Sequence, residues 1–145
     1  MLRATGTALN APRLLMGVAE AHARLGRPAE GLDCLAEAAR ILETTDERAN
    51  EAELHRLRGD LLNVTGDRTA AEQAYNQARA AAERQSAKLF ELRAATSLAR
   101  LWGPQGKRAQ ARDLLTPVCN WFTEGFDTRI FQEAKAVLQE LRQGD

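Results

Sequence analysis

The chain contains 145 residues, with 20 Lys and Arg against 20 Asp and Glu, so its formal net charge is zero. Ala, Leu, Arg and Glu, all good helix formers, supply more than half of the residues, whereas Val and Ile together supply six. Because strands are built largely from β-branched and aromatic residues, this composition argues against a β-sandwich, a barrel or a doubly wound sheet.

The neutral net charge and the lack of long apolar runs limit the kinds of partner and the cellular compartment that we expect for this protein. A dedicated nucleic-acid binder usually has a surplus of positive charge, which this chain lacks. No apolar run is long enough to predict a membrane span, and the first residues lack the apolar core of a signal peptide. Two cysteines, Cys34 and Cys119, are too few for a disulfide scaffold. We therefore expect a cytoplasmic protein with two free thiols and with neither nucleic acid nor membrane as a partner.

Three glycines at equal intervals reveal an internal repeat. Gly26, Gly66 and Gly106 lie 40 residues apart, and similar turn sequences surround them. Small residues recur seven positions before and five positions after each glycine, and a larger apolar residue recurs nine positions after it. Since small residues let two helices approach closely, each unit is predicted to be a helix A, a glycine turn and an antiparallel helix B. The recurring residues are Ala19, Gly31 and Leu35, then Gly59, Ala71 and Tyr75, then Ala99, Ala111 and Leu115.

In chain order, a leader over residues 1–11, expected to be poorly ordered, precedes seven predicted helices. Pro117 lies inside the sixth helix and predicts a kink or an early end. The seventh helix follows Gly125 and has no helix B; we expect it to cover the last apolar face, because repeat arrays need a terminal cap. The helices are predicted over residues 12–25, 28–44, 47–65, 68–84, 87–103, 108–123 and 128–142. The predicted N-caps are Asp46 or Thr45 for the third, Asp67 for the fourth, Ser86 for the fifth and Asp127 for the seventh.

This pattern resembles the tetratricopeptide repeat, whose units carry a small residue in helix A, a glycine at the turn, and Ala with an aromatic or Leu along helix B. The resemblance implies an all-α, TPR-like α-solenoid of antiparallel helix pairs, with three repeats of 40 residues and a C-terminal capping helix. The repeat domain is expected over residues 12–143. The usual period is about 34 residues, so the additional residues predict longer helices or longer links.

Three segments carry a narrower resemblance. Glu51–Gly59, Ser86–Trp102 and Trp121–Asp127 are similar to the C-terminal tetratricopeptide region of large bacterial signalling proteins. Those proteins combine an AAA-type predicted ATPase with a class III nucleotidyl-cyclase-like or transcription-regulator domain. The resemblance implies a sensory or scaffolding arm beside an ATPase. This chain contains no phosphate-binding loop of the Walker type.

The resemblance also implies where a partner binds, since helix A residues line the concave face of tetratricopeptide arrays. Forked hydrogen bonds from arginines on that face suit a peptide backbone or a carboxylate. The alternative is a solvated helix face with pairs within one helix, such as Arg56–Asp60. In either case exposed positions predict stability changes of no more than about 0.5 kcal/mol on substitution. The candidate groove residues are Arg13, Glu20, Arg24, Arg56, Asp60, Asn63, Arg93 and Arg100.

Candidates for catalysis or metal binding are weak. His22 and His55 occupy different repeat positions, and neither has a second histidine three or four residues on, so no metal site is predicted. Cys34 and Cys119 have no base nearby in sequence and are expected to be small buried groups. We therefore predict no catalytic residues, no cofactor and no enzymatic activity.

Aromatic residues cluster around the last turn. They either form an exposed docking patch or close the core beneath the seventh helix, and the second arrangement is the stronger expectation. The cluster comprises Trp121, Phe122, Phe126 and Phe131.

Two function classes remain open from the sequence. The first is a non-catalytic scaffold whose groove binds a protein or peptide segment, or a neighbouring ATPase or cyclase domain. The second is a small-ligand sensor of a transcription regulator or signalling ATPase. An open groove of mixed charge favours the scaffold, whereas a closed apolar pocket favours the sensor. Whether the chain forms a homodimer is left open.

Overall fold

The computed structural model describes residues 11–45 and 49–143. Over those residues the chain folds into seven α-helices without a strand, which confirms the predicted all-α repeat architecture. A short 3-10 turn, Gly103–Gln105, follows the fifth helix. The helices are α1 Ala11–Arg24, α2 Pro28–Thr45, α3 Glu51–Thr65, α4 Arg68–Arg84, α5 Lys88–Trp102, α6 Arg108–Trp121 and α7 Arg129–Gln143.

The observed helix ends differ from the predicted ones mainly at α3 and α6. Helix α3 begins at Glu51 rather than at residue 47. Helix α6 continues past Pro117 and ends at Trp121, two residues before the predicted end, in line with the expected early end. The leader prediction falls almost entirely on residues 1–10, which lie outside the described residues, and Ala11 already belongs to α1.

The three repeat glycines end helix A in the same way. The backbone has φ of +71° at Gly26, +92° at Gly66 and +82° at Gly106, a left-handed conformation that favours glycine. After each glycine, the next N–H donates to a carbonyl five residues earlier, closing a Schellman turn. These bonds join Arg27 to His22 at 2.8 Å, Asp67 to Leu62 at 3.1 Å and Lys107 to Trp102 at 3.2 Å.

A fourth turn of this type joins α4 to α5 and corrects a predicted cap. Ser86 occupies the glycine position with φ of +53°, and the Ala87 N–H donates to the Ala82 carbonyl at 2.9 Å. Ser86 therefore closes α4 and does not cap α5, whose first turn has no side-chain cap. The chain reverses here within three residues, which leaves no room for a separate capping residue.

Of the remaining predicted N-caps, one is observed and the others are not. Asp67 caps α4 as predicted, since its carboxylate accepts from the Ala70 N–H at 3.1 Å. Asp127 does not cap α7, because the adjacent Thr128 hydroxyl oxygen accepts from the Phe131 N–H at 3.3 Å. Two caps were possible for α3. Asp46 lies outside the described residues, and Thr45 is the last residue of α2. The residue that precedes α3 is Asn50, whose side chain makes no cap hydrogen bond.

Small residues lie at the helix crossings, as the repeat pattern predicts. A Cβ added at Gly59 of α3 would lie 2.5 Å from Cε1 of Tyr75 in α4. A Cβ at Gly31 of α2 would lie 2.6 Å from Cδ2 of Leu61. Real carbon atoms do not approach so closely, so a side chain at either position would have to displace Tyr75 or Leu61. The apolar core along the array consists of separate clusters, with one between α1, α2 and α3, one between α4 and α5, and one between α5, α6 and α7.

Helix α7 packs against α5 and α6 as an additional helix A and covers the last apolar face. The aromatic cluster beside it is only partly buried. Phe131 is buried and makes edge-to-face contacts with Phe122 and Phe126, at centroid distances of 6.0 and 5.0 Å. Trp121 and Phe126 are 57% and 47% exposed, so the expectation that all four aromatics close the core holds for Phe131 and Phe122 only. Within the described ranges, no helix is both long and apolar enough to span a bilayer.

The Gly59 crossing gives a stability test. Gly59→Ala places a methyl group against the Tyr75 ring, and overpacking of this kind is expected to lower the free energy of unfolding by about 1–3 kcal/mol. Gly17 is the matched control, because it also lies within a helix but a Cβ there meets nothing within 4 Å. Gly17→Ala is expected to raise stability by about 0.5–1 kcal/mol. Denaturant unfolding measures both, and equal effects would contradict the close crossing.

The Ser86 turn gives a second test. A non-glycine residue in the left-handed region is strained by about 1–2 kcal/mol, so Ser86→Gly is expected to raise the free energy of unfolding by up to that amount. Gly66→Ser introduces the same residue at an open left-handed position, with φ of +92°, and is expected to lower stability similarly. Thermal melts of both variants check the opposite signs. A destabilised Ser86→Gly protein would show that the serine side chain outweighs the strain.

Candidate functional site

A groove runs along the face built from α1, α3, α5 and α7. Successive A-type helices lie side by side, with α1 against α3, α3 against α5 and α5 against α7. The groove has a volume of about 430 Å³ and opens to solvent. A smaller recess continues it between α5 and α7. The groove is lined by Glu20, Ala23, Arg24, Arg56, Asp60, Arg93, Arg129, Ile130 and Glu133, and the recess adds Thr96, Ser97 and Arg100.

The floor of the groove is a buried ion-pair network centred on Arg56. Its Nε donates to Oε2 of Glu53 at 2.9 Å and its Nη2 to Oε1 at 3.2 Å, while Nη1 donates to Oδ2 of Asp60 at 3.3 Å. Arg93 of α5 donates to the same Glu53 through Nη1 at 2.6 Å. Arg56 is 8% exposed, so its charge is compensated within the protein.

Tyr75 extends this network to α4. Its hydroxyl donates to Oδ1 of Asp60 at 2.5 Å, so one carboxylate receives hydrogen bonds from two side chains on different helices. Burial raises the pKa of Asp60, although the Tyr75 hydrogen bond and the Arg56 charge act in the opposite direction. Burial and the adjacent Asp60 also raise the pKa of Tyr75, which keeps its hydroxyl protonated as a donor.

The charge of Arg56 is secured by its partners. Burial alone lowers the pKa of a guanidinium, but the hydrogen bonds and charge of Glu53, together with Asp60, raise it overall. The network therefore links α3, α4 and α5 through side-chain hydrogen bonds. Its members are positioned by the protein rather than left for a ligand.

The rim of the groove is more exposed. Arg100 of α5 lies 3.7 Å from Glu133 of α7, which also pairs with Arg129 at 3.3 Å. On the opposite side, Arg24 and Glu20 of α1 pair at 3.4 Å. Rim pairs of this kind are weak and exchange readily with solvent, so these arginines are available to a partner.

The structure places most of the candidate residues together, but not all of them. Glu20, Arg24, Arg56, Asp60 and Arg93 line the groove and Arg100 lies in the adjoining recess. Two further candidates, Arg13 and Asn63, are not among the residues that line the groove or the recess. Arg13 lies two turns before Glu20 near the start of α1, and Asn63 lies in the last turn of α3, where both side chains are exposed.

Sequence reasoning missed the contribution of α7 and of Tyr75. Arg129, Ile130 and Glu133 form one wall of the groove, because α7 packs as a further helix A beside α5. The sequence does indicate this role for α7, because its apolar residues have the same spacing as those of α5. Tyr75 was assigned only a core position, whereas its ring fills the crossing and its hydroxyl reaches Asp60.

Histidines and cysteines do not form a reactive centre within the described parts of the chain, where no cluster of three metal-ligating side chains occurs. Nδ1 of His22 lies 3.7 Å from Oε2 of Glu30, and His55 belongs to a different repeat. Burial and Arg58 lower the pKa of His55. Burial raises the pKa of both thiols, with acidic neighbours adding to the effect at Cys34, so neither is poised as a thiolate nucleophile.

The sequence comparison identifies the family of this array of helix pairs. Residues 10–84, just over half of the chain, match the family of the tetratricopeptide repeat. The chain therefore belongs to the tetratricopeptide repeat family. No curated protein matches the chain. The third turn, at Gly106, and α7 lie beyond the matched residues but continue the same geometry. Repeats of this family generally mediate protein–protein interaction and are typically non-catalytic.

The burial of Arg56 changes the expected outcome of its substitution. Arg56→Ala leaves Glu53 and Asp60 with fewer partners in a buried site, so the free energy of unfolding is expected to fall by about 3 kcal/mol rather than by less than 0.5. Arg100→Ala removes an exposed pair and is expected to cost less than about 1 kcal/mol. Urea denaturation of the two variants measures the difference. Equal costs would show that the Arg56 network contributes little.

Proposed function

We propose that the groove binds an extended segment of a partner protein, and that the exposed arginines of its rim make the main polar contacts. The main supporting observation is that the arginine in the floor of the groove is fully paired, whereas those at its rim are exposed. The floor cation Arg56 is already satisfied by two carboxylates, whereas Arg24, Arg100 and Arg129 project at the rim. Guanidinium groups at an open surface suit carboxylates and backbone carbonyls, so an acidic or polar peptide is the expected ligand.

The shape of the groove favours a peptide over a small molecule. It is open to solvent, and charged side chains dominate its lining. A sensor for a small ligand usually encloses its ligand among apolar side chains, with a few polar groups for orientation. Ile130 and Ala23 are the only apolar side chains among the nine residues that line the groove. These features support the scaffold and argue against the sensor.

The resemblance of Glu51–Gly59, Ser86–Trp102 and Trp121–Asp127 to bacterial signalling proteins suggests where the partner segment resides. We propose that it belongs to an ATPase- or cyclase-type domain that this module regulates in the cytoplasm. The neutral net charge agrees with a protein partner rather than a nucleic acid. Two exposed arginines on different helices would recognise such a segment along its length.

The test uses variants that spare the buried network. Arg100→Ala combined with Arg129→Ala removes cations from α5 and α7 and is expected to weaken binding of the partner segment by about 1–2 kcal/mol per buried contact. The control is Arg142→Ala, which removes an exposed arginine outside the groove. Fluorescence anisotropy with a panel of acidic, neutral and basic peptides measures affinity. Loss of acidic-peptide binding in the double variant alone is the expected result, and equal binding by all three proteins would place the functional surface elsewhere.

A further inference from the structure

Trp121, the last residue of α6, lies on the surface with its ring held in place. The residue is 57% exposed. Its ring packs edge-to-face on Phe122 with the centroids 5.2 Å apart, and Phe122 packs in the same way on the buried Phe131 at 6.0 Å. A tryptophan that is both exposed and fixed by its neighbours is typical of a binding surface, because it offers a large contact area without further ordering.

A pocket of about 470 Å³ opens beside this ring. It is lined by Glu83 near the end of α4, Ser86 of the following turn, Lys88 and Glu91 of α5, and Trp121. Two carboxylates and one ammonium group give this lining an excess of negative charge. None of these residues lines the groove, so the two surfaces are separate. An aromatic wall together with excess negative charge suits a cation.

Lys88 shows how a cation lies in this pocket. Its Nζ is 5.3 Å from the centroid of the Trp121 ring and 3.2 Å from Oε1 of Glu91. Of the two carboxylates described in the lining, the ammonium group pairs with Glu91 but not with Glu83. The Lys88 side chain is 37% exposed, and an ion pair that water reaches can be exchanged at a low free-energy cost. An external cation can therefore replace Lys88 on the ring.

The other tryptophan shows a closed form of the same arrangement. Nζ of Lys107 lies 5.8 Å from the centroid of the Trp102 ring and 3.8 Å from Oε1 of Glu72. Nε1 of Trp102 donates to that Oε1 at 2.6 Å, and the ring packs against two core clusters. There the ring, the lysine and the carboxylate hold one another, whereas the Trp121 ring stays exposed beside a pocket.

We propose that the pocket beside Trp121 binds an arginine side chain of a basic partner segment, which displaces Lys88 from the ring. A guanidinium group is planar, so it stacks on the indole while its in-plane N–H groups donate to carboxylates. Its several donors can serve Glu83 and Glu91 together, whereas the ammonium group of Lys88 pairs with one of them. The pocket is formed by α4, α5 and α6, so its geometry does not depend on either end of the described chain.

The experiment uses the full chain, labelled for nuclear magnetic resonance, and capped peptides that differ only in one central residue. That residue is arginine, lysine or citrulline, which has the shape of arginine without its charge. The indole N–H signals of both tryptophans are followed, so Trp102 serves as an internal control. We expect the arginine peptide to shift the Trp121 signal saturably and to leave the Trp102 signal in place. The lysine peptide is expected to bind more weakly, and the citrulline peptide not to bind.

Variants test the role of each charge in the pocket. Lys88→Gln removes the internal cation and is expected to tighten binding of the arginine peptide by about two- to fivefold, because the peptide no longer competes with it. Glu83→Gln is expected to weaken binding by about two- to fivefold, because the guanidinium group loses one carboxylate. The matched controls are Lys107→Gln, which removes the lysine over Trp102, and Glu43→Gln, which removes an exposed carboxylate of α2. Both are expected to leave the affinity unchanged.

Several outcomes would overturn this assignment. One is a Trp121 signal that does not move with the arginine peptide, and another is an equal shift with the citrulline or lysine peptide. A third is a Lys88→Gln protein that binds no better than the Lys107→Gln control. Sedimentation showing a dimer that Trp121→Ala dissociates would also overturn it, since the occupant would then be a second copy. Circular dichroism checks that each variant is folded.

Discussion

The contact between the Tyr75 ring and Gly59 holds the central part of this structure in place. Because Gly59 has no side chain, α4 approaches α3 closely enough for the Tyr75 hydroxyl to reach Asp60. Asp60 in turn accepts from Arg56, and Arg56 shares Glu53 with Arg93 of the next unit. One close helix crossing therefore fixes both the apolar packing of the second repeat and the polar floor of the groove.

Two arginines that look alike in the sequence have different environments in the groove. Arg56 and Arg100 are both arginines on the concave side of an A-type helix, yet Arg56 is buried among carboxylates and Arg100 is exposed beside Glu133. A buried charge must keep its partners, because losing one leaves the other uncompensated at a high free-energy cost. An exposed charge can exchange its partner at a low free-energy cost, because water can solvate it. The proposed recognition of a ligand by the rim arginines is consistent with this difference.

The same division of charges continues onto α7. Arg129 and Glu133 of this helix line the groove, whereas its buried residues Phe131, Ala134 and Leu138 pack in a core cluster with residues of α5 and α6. One helix thus supplies both apolar packing and exposed charges.

The sequence by itself determined the repeat. The 40-residue spacing of Gly26, Gly66 and Gly106 predicted the helix pairs and their turns, because a left-handed backbone at the end of a helix favours glycine locally. The position of Gly59 at a crossing was predicted for a similar reason, since a small residue in phase with its counterparts in the other repeats marks a close approach.

Tertiary structure decided which charges are buried and which surfaces come together. Nothing within α3 distinguishes Arg56 from an exposed helix residue, because its burial depends on Glu53, Tyr75 and Arg93 converging from three helices. The inclusion of Arg129 and Glu133 in the groove likewise follows from the packing of α7 beside α5. Local sequence patterns predict individual turns and crossings, whereas the groove is assembled from side chains that lie far apart in the sequence and meet only when the helices pack.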